Sequence, residues 1–269
     1  MKTIVITGSG GLIGSYLSSY FSNNGFRVIH VCRAKDRITK DDYILWDYYQ
    51  SLFPSHYSFE RDISIDYIVH CGYDFSDKSL INNSNLQAVK LLTAYFDRSV
   101  FINISTMSAF TKCVSAYGKV KLMIEGQVNK VNGYNLRLGI PISNPPMGFH
   151  QLVLKIYQWT GLLVPSITSN NAGLMFETNM DAFCSQIEEI MMNKSKAPGT
   201  YSVVNPVGLT MASFINKYTK AIVVPINWRL IYYVFKGFEF IGIKFRFGSD
   251  SVLSIANSIS DPEFNILNK

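Results

Sequence analysis

The sequence predicts an α/β fold: a doubly wound, parallel sheet of Rossmann type with a smaller C-terminal lobe. Two observations predict it. Short β-rich runs alternate with longer helical patterns from the first residues onward, as in chains of βαβ units. Those runs are continuously apolar, which suits strands covered on both faces. The 269 residues, 48% hydrophobic and 16% charged, suffice for a large core and exclude the composition of a disordered chain.

Strands are expected at Thr3–Thr7, Arg27–Cys32, Tyr67–Cys71, Val100–Ile104 and Tyr134–Leu138. Between them, Leu12–Asn23, Asn85–Phe96 and Ala116–Lys130 repeat apolar residues every three or four positions, as crossover helices do. Residues 34–61 have no clear period and are assigned one irregular strand. After Pro141 the texture changes to SNPPMGFH, followed by a helix over Gln151–Gly161. A turn and strand at Gly199–Asn205, a helix at Thr210–Ala221 and an aromatic helical segment from Trp228 complete the chain. The expected division is a dinucleotide-binding domain over 1–140 and a substrate lobe over 141–269, with segments from about 174 to 221 returning to the main domain.

Charge narrows the partners only modestly. The net charge of +6 suits an anionic ligand but involves no polybasic tail, so no nucleic acid is expected. The four cysteines lie far apart without zinc-ligand spacing, so neither a disulfide framework nor a metal site is expected. The opening MKTIVITGSGG holds no secretory apolar region, and a cytoplasmic setting is expected. Ala221–Phe247 is broken by five charges, so it does not span a membrane. The aromatic segment with Trp228, Tyr232, Tyr233, Phe235, Phe238 and Phe240 reads as a helix covering the lobe or a partner subunit, with a membrane-surface role as the lesser alternative. His70 reads as a packed core histidine and His150 and Lys155 as solvated surface. Met175, Met180, Met191 and Met192 read as core filler.

Two motifs carry chemistry. In TIVITGSGGLIGSYL, Gly8, Gly11 and Gly14 stand between a strand and a helix. There the first glycine permits a tight turn, the second the approach of a pyrophosphate and the third close helix packing. Free amides at the helix start then favour phosphate. No acid ends the second strand to accept from a ribose hydroxyl. Arg33 stands there instead, with Lys35 and Arg37 following, which favours the 2′-phosphate of NADP over NAD. In SAYGKVKLMIEGQV, Tyr117, Lys121 and Glu125 share one helix face. A neighbouring ammonium favours phenolate, so the Tyr117 pKa is expected below its usual value near 10.

These motifs resemble the short-chain dehydrogenase/reductase superfamily, most closely its extended branch of sugar-nucleotide epimerases, dehydratases and reductases. The resemblance rests on T-G-x-x-G-x-x-G at Thr7–Gly14, DYIVHCGY at Asp66–Tyr73, Asn85 opening a helix, NIST at Asn103–Thr106 and Y-G-x-x-K-x-x-x-E from Tyr117 to Glu125. It extends to Arg137–Leu138 and to FETNMDAF with Asp181. It implies hydride exchange at a nicotinamide, with Tyr117 as acid or base and Lys121 holding the ribose. Thr106 would bind the reacting oxygen, with Ser105 as the second candidate. It further implies cofactor contacts from Gly8, Gly11, Leu12, Ile13, Gly14, Arg33, Cys71, Gly72, Asn85, Tyr117 and Lys121, and a homodimer.

The chain departs from the branch at Gly72, at Cys32 and in its short step from Thr106 to Tyr117. Met107 and Ser108 also stand where dehydratases carry an acid pair, which lowers dehydration against the other reactions. The expected function is an NAD(P)-dependent epimerase or reductase of a nucleotide-linked sugar, in surface polysaccharide or sugar-nucleotide biosynthesis. A reductase of a small non-sugar carbonyl and a non-catalytic dinucleotide-binding regulator are the alternatives.

Overall fold

A computed structural model describes residues 1–33, 43–46, 64–168, 173–193, 196–243 and 248–258. The chain divides into two compact units. Unit 1 holds Met1–Ser105, Met123–Leu136 and Cys184–Tyr201; unit 2 holds Thr106–Leu122, Arg137–Phe183 and Ser202–Lys269.

The first strands and helices are β1 (Thr3–Thr7), α1 (Leu12–Asn23), β2 (Arg27–Cys32), β3 (Tyr43–Leu45), β4 (Tyr67–His70), α2 (Ser84–Tyr95) and β5 (Val100–Thr106). α3 (Ala116–Lys130) and β6 (Tyr134–Leu138) follow, and β10 (Gly199–Val203) completes a seven-stranded sheet of order β10-β6-β5-β4-β1-β2-β3. β1 pairs in parallel with β2, Thr3 opposite Arg27, and with β4, Ile4 opposite Tyr67. β2–β3 and β4–β5 are parallel as well. Every residue of β1 and β4 is buried, which is why neither strand alternates in sequence. The chain builds β1 to β3 outward in one direction and then returns to place β4 on the other side of β1. The strand order therefore reverses between β1 and β4, where sheets of this kind open a ligand crevice at their carboxyl ends.

Unit 2 is built from β7 (Ile140–Ile142), α4 (Gly148–Thr160), β8 (Leu163–Thr168), β9 (Glu177–Asn179), the start of α5 (Met180–Asn193), α6 (Met211–Tyr218), β11 (Ile222–Asn227), α7 (Trp228–Phe240) and α8 (Ser249–Ala256). β7 pairs in parallel with β9, and β8 with β11. Val153, Val164, Met175, Phe214 and Ile215 form its core.

The expected strands and crossover helices of the first half match these elements to within two residues. The one strand assigned to residues 34–61 is β3; apart from Trp46, which is buried, the rest of that stretch lies outside the described residues. The helix expected over Thr210–Ala221 stops at Tyr218, because Thr219 turns to extended backbone and the β-branched run from Ile222 forms β11. Met192 is 56% exposed and so is not core filler, whereas Met175, Met180 and Met191 are buried.

Candidate active site

In unit 1, the turn after β1 depends on glycine at each of its three positions. Gly8 adopts φ +67°, and a Cβ there would lie 2.6 Å from the Gly72 Cα, so the backbones leaving β1 and β4 meet where the strand order reverses. A Cβ on Gly14 would lie 2.3 Å from the Gly8 carbonyl oxygen, so the third glycine packs α1 against the turn itself. Gly11 is exposed, caps α1 in extended conformation with no side-chain hydrogen bond, and is followed by a first turn without acid. Leu12 and Ile13 open that helix toward the turn. Backbone amides at an exposed glycine cap, on a cradle that any Cβ would fill, fit the pyrophosphate of a dinucleotide.

The surrounding hydrogen bonds fix this turn. Ser9 donates its Oγ to the Val31 carbonyl at 3.2 Å, tying the turn to β2. Thr7 Oγ1 meets His70 Nδ1 at 2.7 Å, so His70 is a hydrogen-bonded core group, as expected. Half-buried Cys71 donates its N–H to the Thr7 carbonyl at 3.2 Å. Asn85 is fully buried: its Oδ1 accepts from the Asp74 amide at 2.5 Å and its Nδ2 donates to the Asp74 carbonyl at 3.1 Å. Asn85 therefore clamps the loop carrying Cys71 and Gly72 rather than offering its amide outward. Arg33 is exposed just after β2; Lys35 and Arg37 lie outside the described residues.

Of the two candidate hydroxyls, Ser105 is committed within unit 1. It is buried and donates to Glu125 Oε1 at 2.5 Å. The Ser105 hydroxyl is thereby spent on a side chain of α3.

In unit 2, Thr106 ends β5. Its Oγ1 accepts from the Ser108 amide at 3.2 Å and the hydroxyl is hydrogen-bonded to that of Tyr117. Tyr117 and Lys121 stand one turn apart on α3, Lys121 buried. The expected depression of the Tyr117 pKa is not found: burial pushes it up to about 12, and the Thr106 hydrogen bond offsets this only in part. Desolvation of the phenolate sets the direction, and the opposing contribution comes from Thr106.

Two features that position Tyr117 are absent from the sequence reading. Asp250 of α8 accepts from the Ala116 amide at 2.8 Å and from the Tyr117 amide at 3.0 Å, capping α3 from 133 residues away. Its only sequence signal is an acid in the first turn of a helix, which does not disclose the partner. Gly118, the G of the Y-G-x-x-K motif, brings α3 against the loop after β5, since a Cβ there would lie 2.3 Å from the Ser108 carbonyl oxygen. Asp250→Ala is expected to lower stability by about 1–2 kcal/mol and to reduce turnover through fraying of the turn that holds Tyr117. A thermal melt beside a kcat measurement checks this; unchanged values for both would remove the positioning role.

His150 is not the solvated group expected. It is buried beside Phe214, with its ring 4.2 Å from that of Tyr218, and burial pushes its pKa down against the nearby Glu177 charge. Buried Glu177 meets Lys217 at 2.5 Å and accepts from the Tyr218 hydroxyl at 2.9 Å. Lys155 is exposed.

Residues 4–137 match the model of the NAD dependent epimerase/dehydratase family. The fold is similar to dTDP-glucose 4,6-dehydratase from Bacillus anthracis in complex with NAD: TM-score 0.62, 13% identity, 84% of this chain and 85% of that chain covered. It is also similar to UDP-glucose 4-epimerase with UDP-glucose from Thermotoga maritima: TM-score 0.63, 16% identity, 83% and 85% covered. The terminal R domain of the myxalamid PKS-NRPS biosynthetic pathway matches over 100% of this chain and 83% of that domain, at TM-score 0.67 and 17% identity. At such identities the likeness carries the fold. No curated protein matches in sequence.

Proposed function

Because this chain belongs, through residues 4–137, to the NAD dependent epimerase/dehydratase family, we propose that it is an NAD(P)-dependent epimerase or reductase of a nucleotide-linked sugar. The carrying observation is the hydrogen-bonded Thr106–Tyr117 hydroxyl pair with Lys121 one turn along the same helix. Structural neighbours that act on sugar nucleotides support the substrate class.

A nicotinamide dinucleotide, when bound, supplies a hydride to a carbonyl carbon and takes one back from the alcohol. The turn of Gly8, Gly11 and Gly14, with the first amides of α1, would hold its pyrophosphate, and Gly72 would leave room beside it. Asn85 acts through the loop it clamps. Tyr117 donates its phenolic proton to the oxygen of the carbonyl being reduced, and recovers it when the alcohol is oxidised. A phenol raised to about 12 is fully protonated at neutral pH, ready for the donating step. Thr106 orients the same oxygen. The buried Lys121 ammonium favours the phenolate left after donation. Ser105 holds Glu125 and takes no direct part.

A screen of nucleotide sugars with NADH and NADPH, followed by mass analysis, tests the reading; conversion of at least one is expected. Turnover of small carbonyls alone would sink the sugar assignment, and cofactor binding without any turnover would sink the catalytic one. Cofactor choice is tested separately. Arg33→Ala is expected to weaken NADPH affinity by about tenfold or more, the worth of one charge-assisted hydrogen bond to phosphate, and to leave NADH unchanged. Equal effects on both cofactors in a binding titration would remove the 2′-phosphate role.

A further inference from the structure

The aromatic segment expected to cover the lobe or a partner subunit has no buried residue among its described residues up to 243. α7 rests on β8, β11 and α8, yet none of its side chains is buried. Leu230, Tyr233, Val234, Phe238 and Ile241 fall at helical spacing on one face and are 40–69% exposed. Phe240 is 91% exposed, and in the same unit Trp159 is 89% exposed. Isolated exposed apolar residues are ordinary on a soluble surface, but a continuous stripe along a helix is not.

Charge indicates what covers it. Unit 2 carries 12 basic and 6 acidic side chains and unit 1 carries 13 of each, so the entire net charge of +6 belongs to the unit that exposes the stripe. Arg229 lies 5.7 Å from the Trp228 ring and Lys236 5.9 Å from that of Tyr232, which places cation–aromatic pairs along one edge of the stripe. The one acid of α7, Glu239, accepts from the Ser249 amide at 2.9 Å and hydroxyl at 2.8 Å on α8, and its Oε2 lies 3.7 Å from half-exposed Lys236, which leaves Arg229 as the cation of this helix with no acid of α7 beside it. Aliphatic and aromatic side chains on one face, with Trp, Tyr, Arg and Lys at its margin, are the composition of a helix lying in a bilayer interface. A second copy fits less well, because a two-fold interface would set this cationic unit against itself.

We propose that the exposed face of α7 docks this chain on an anionic phospholipid surface. The helix lies in the interface plane, its apolar stripe at the acyl boundary and Arg229 and Lys236 toward the headgroups. Among the described residues no helix is long and apolar enough to cross the bilayer. The charges that interrupt this segment in sequence exclude a span but not a surface contact: Arg229 and Lys236 lie beside the stripe rather than within it.

The test is flotation of the full chain with vesicles of phosphatidylcholine or of phosphatidylglycerol. Binding to phosphatidylglycerol vesicles is expected, with little to phosphatidylcholine, and weakening as salt rises from about 0.1 to 0.5 M. L230E/V234E is expected to lower partition by about tenfold or more, since two apolar contacts are lost and two like charges face the lipid. Tyr233→Ser, at the most exposed position of the stripe, provides a second variant with little risk to folding, and circular dichroism confirms the fold of each. Failure to float with phosphatidylglycerol, or unchanged flotation of both folded variants, overturns the proposal. An oligomer that L230E/V234E dissociates, without vesicle binding, overturns it in favour of a copy-to-copy interface.

Discussion

Replacing Tyr117 with Phe is expected to lower kcat by about 10²–10⁴-fold, the range for loss of a positioned proton donor, with cofactor affinity nearly unchanged. The substitution removes one oxygen, and with it the partner of the Thr106 hydroxyl. Packing is kept, so melting should change little at neutral pH. Alkaline behaviour gives a second readout. The folded-state pKa, about 12, lies above the ordinary value of 10.0, so the stability due to the neutral phenol is present below pH 10 and is lost as pH rises toward 12. Tyr117→Phe should therefore lose less stability than wild type over that window. Single-turnover hydride transfer measured beside a melt at pH 11 checks both parts. Wild-type turnover in the variant would end the catalytic assignment.

The neighbouring hydroxyls separate two meanings of such a result. Thr106→Val should reduce turnover in a fold that still melts normally. Ser105→Ala should instead destabilise, because it leaves the buried Glu125 carboxylate without its 2.5 Å donor. Thr106 and Ser105 are adjacent in sequence, and only their partners distinguish the hydroxyl proposed for the site from the one that holds Glu125.

Legibility in the sequence follows the range of the forces involved. β1, α1, β2, α3 and β6 end where their residue patterns end, since apolar runs, helical spacing and glycine turns are local signals. The placement of Tyr117 and Lys121 one turn apart on α3, after Thr106 at the end of β5, is readable from helical spacing and the strand pattern. What escaped reading depends on distant partners. Asp250 caps α3 across more than a hundred residues, and Asn85 looks like a ligand-facing amide until both its atoms are seen on Asp74. The Tyr117 pKa was misjudged because spacing discloses a neighbouring ammonium but not the burial that opposes it. Unit 2 was the least legible: β7, β9 and β11 are short or carry proline, and their pairing is decided by packing rather than by period.

Gly8→Ala is expected to cost stability and cofactor binding together. Two costs add at this position. The backbone sits at φ +67°, where an L side chain loses about 1–2 kcal/mol. The new Cβ would also meet the Gly72 Cα at 2.6 Å and the Gly72 nitrogen at 2.7 Å, backbone atoms that no rotamer change can move, for a further cost of about 1–3 kcal/mol. Relief requires the strands to part where the order reverses, so the cradle for the pyrophosphate opens as the strain is released. Gly25→Ala is the internal control: its φ is +80°, but no atom lies within 4 Å of the added Cβ, so it carries the backbone cost alone. Chemical denaturation should rank Gly8→Ala as the more destabilised, and a dinucleotide titration should show about tenfold or greater weakening for Gly8→Ala with little change for Gly25→Ala. Equal destabilisation of the two, with dinucleotide binding intact, would mean that the approach of Gly8 to Gly72 is not needed for the site.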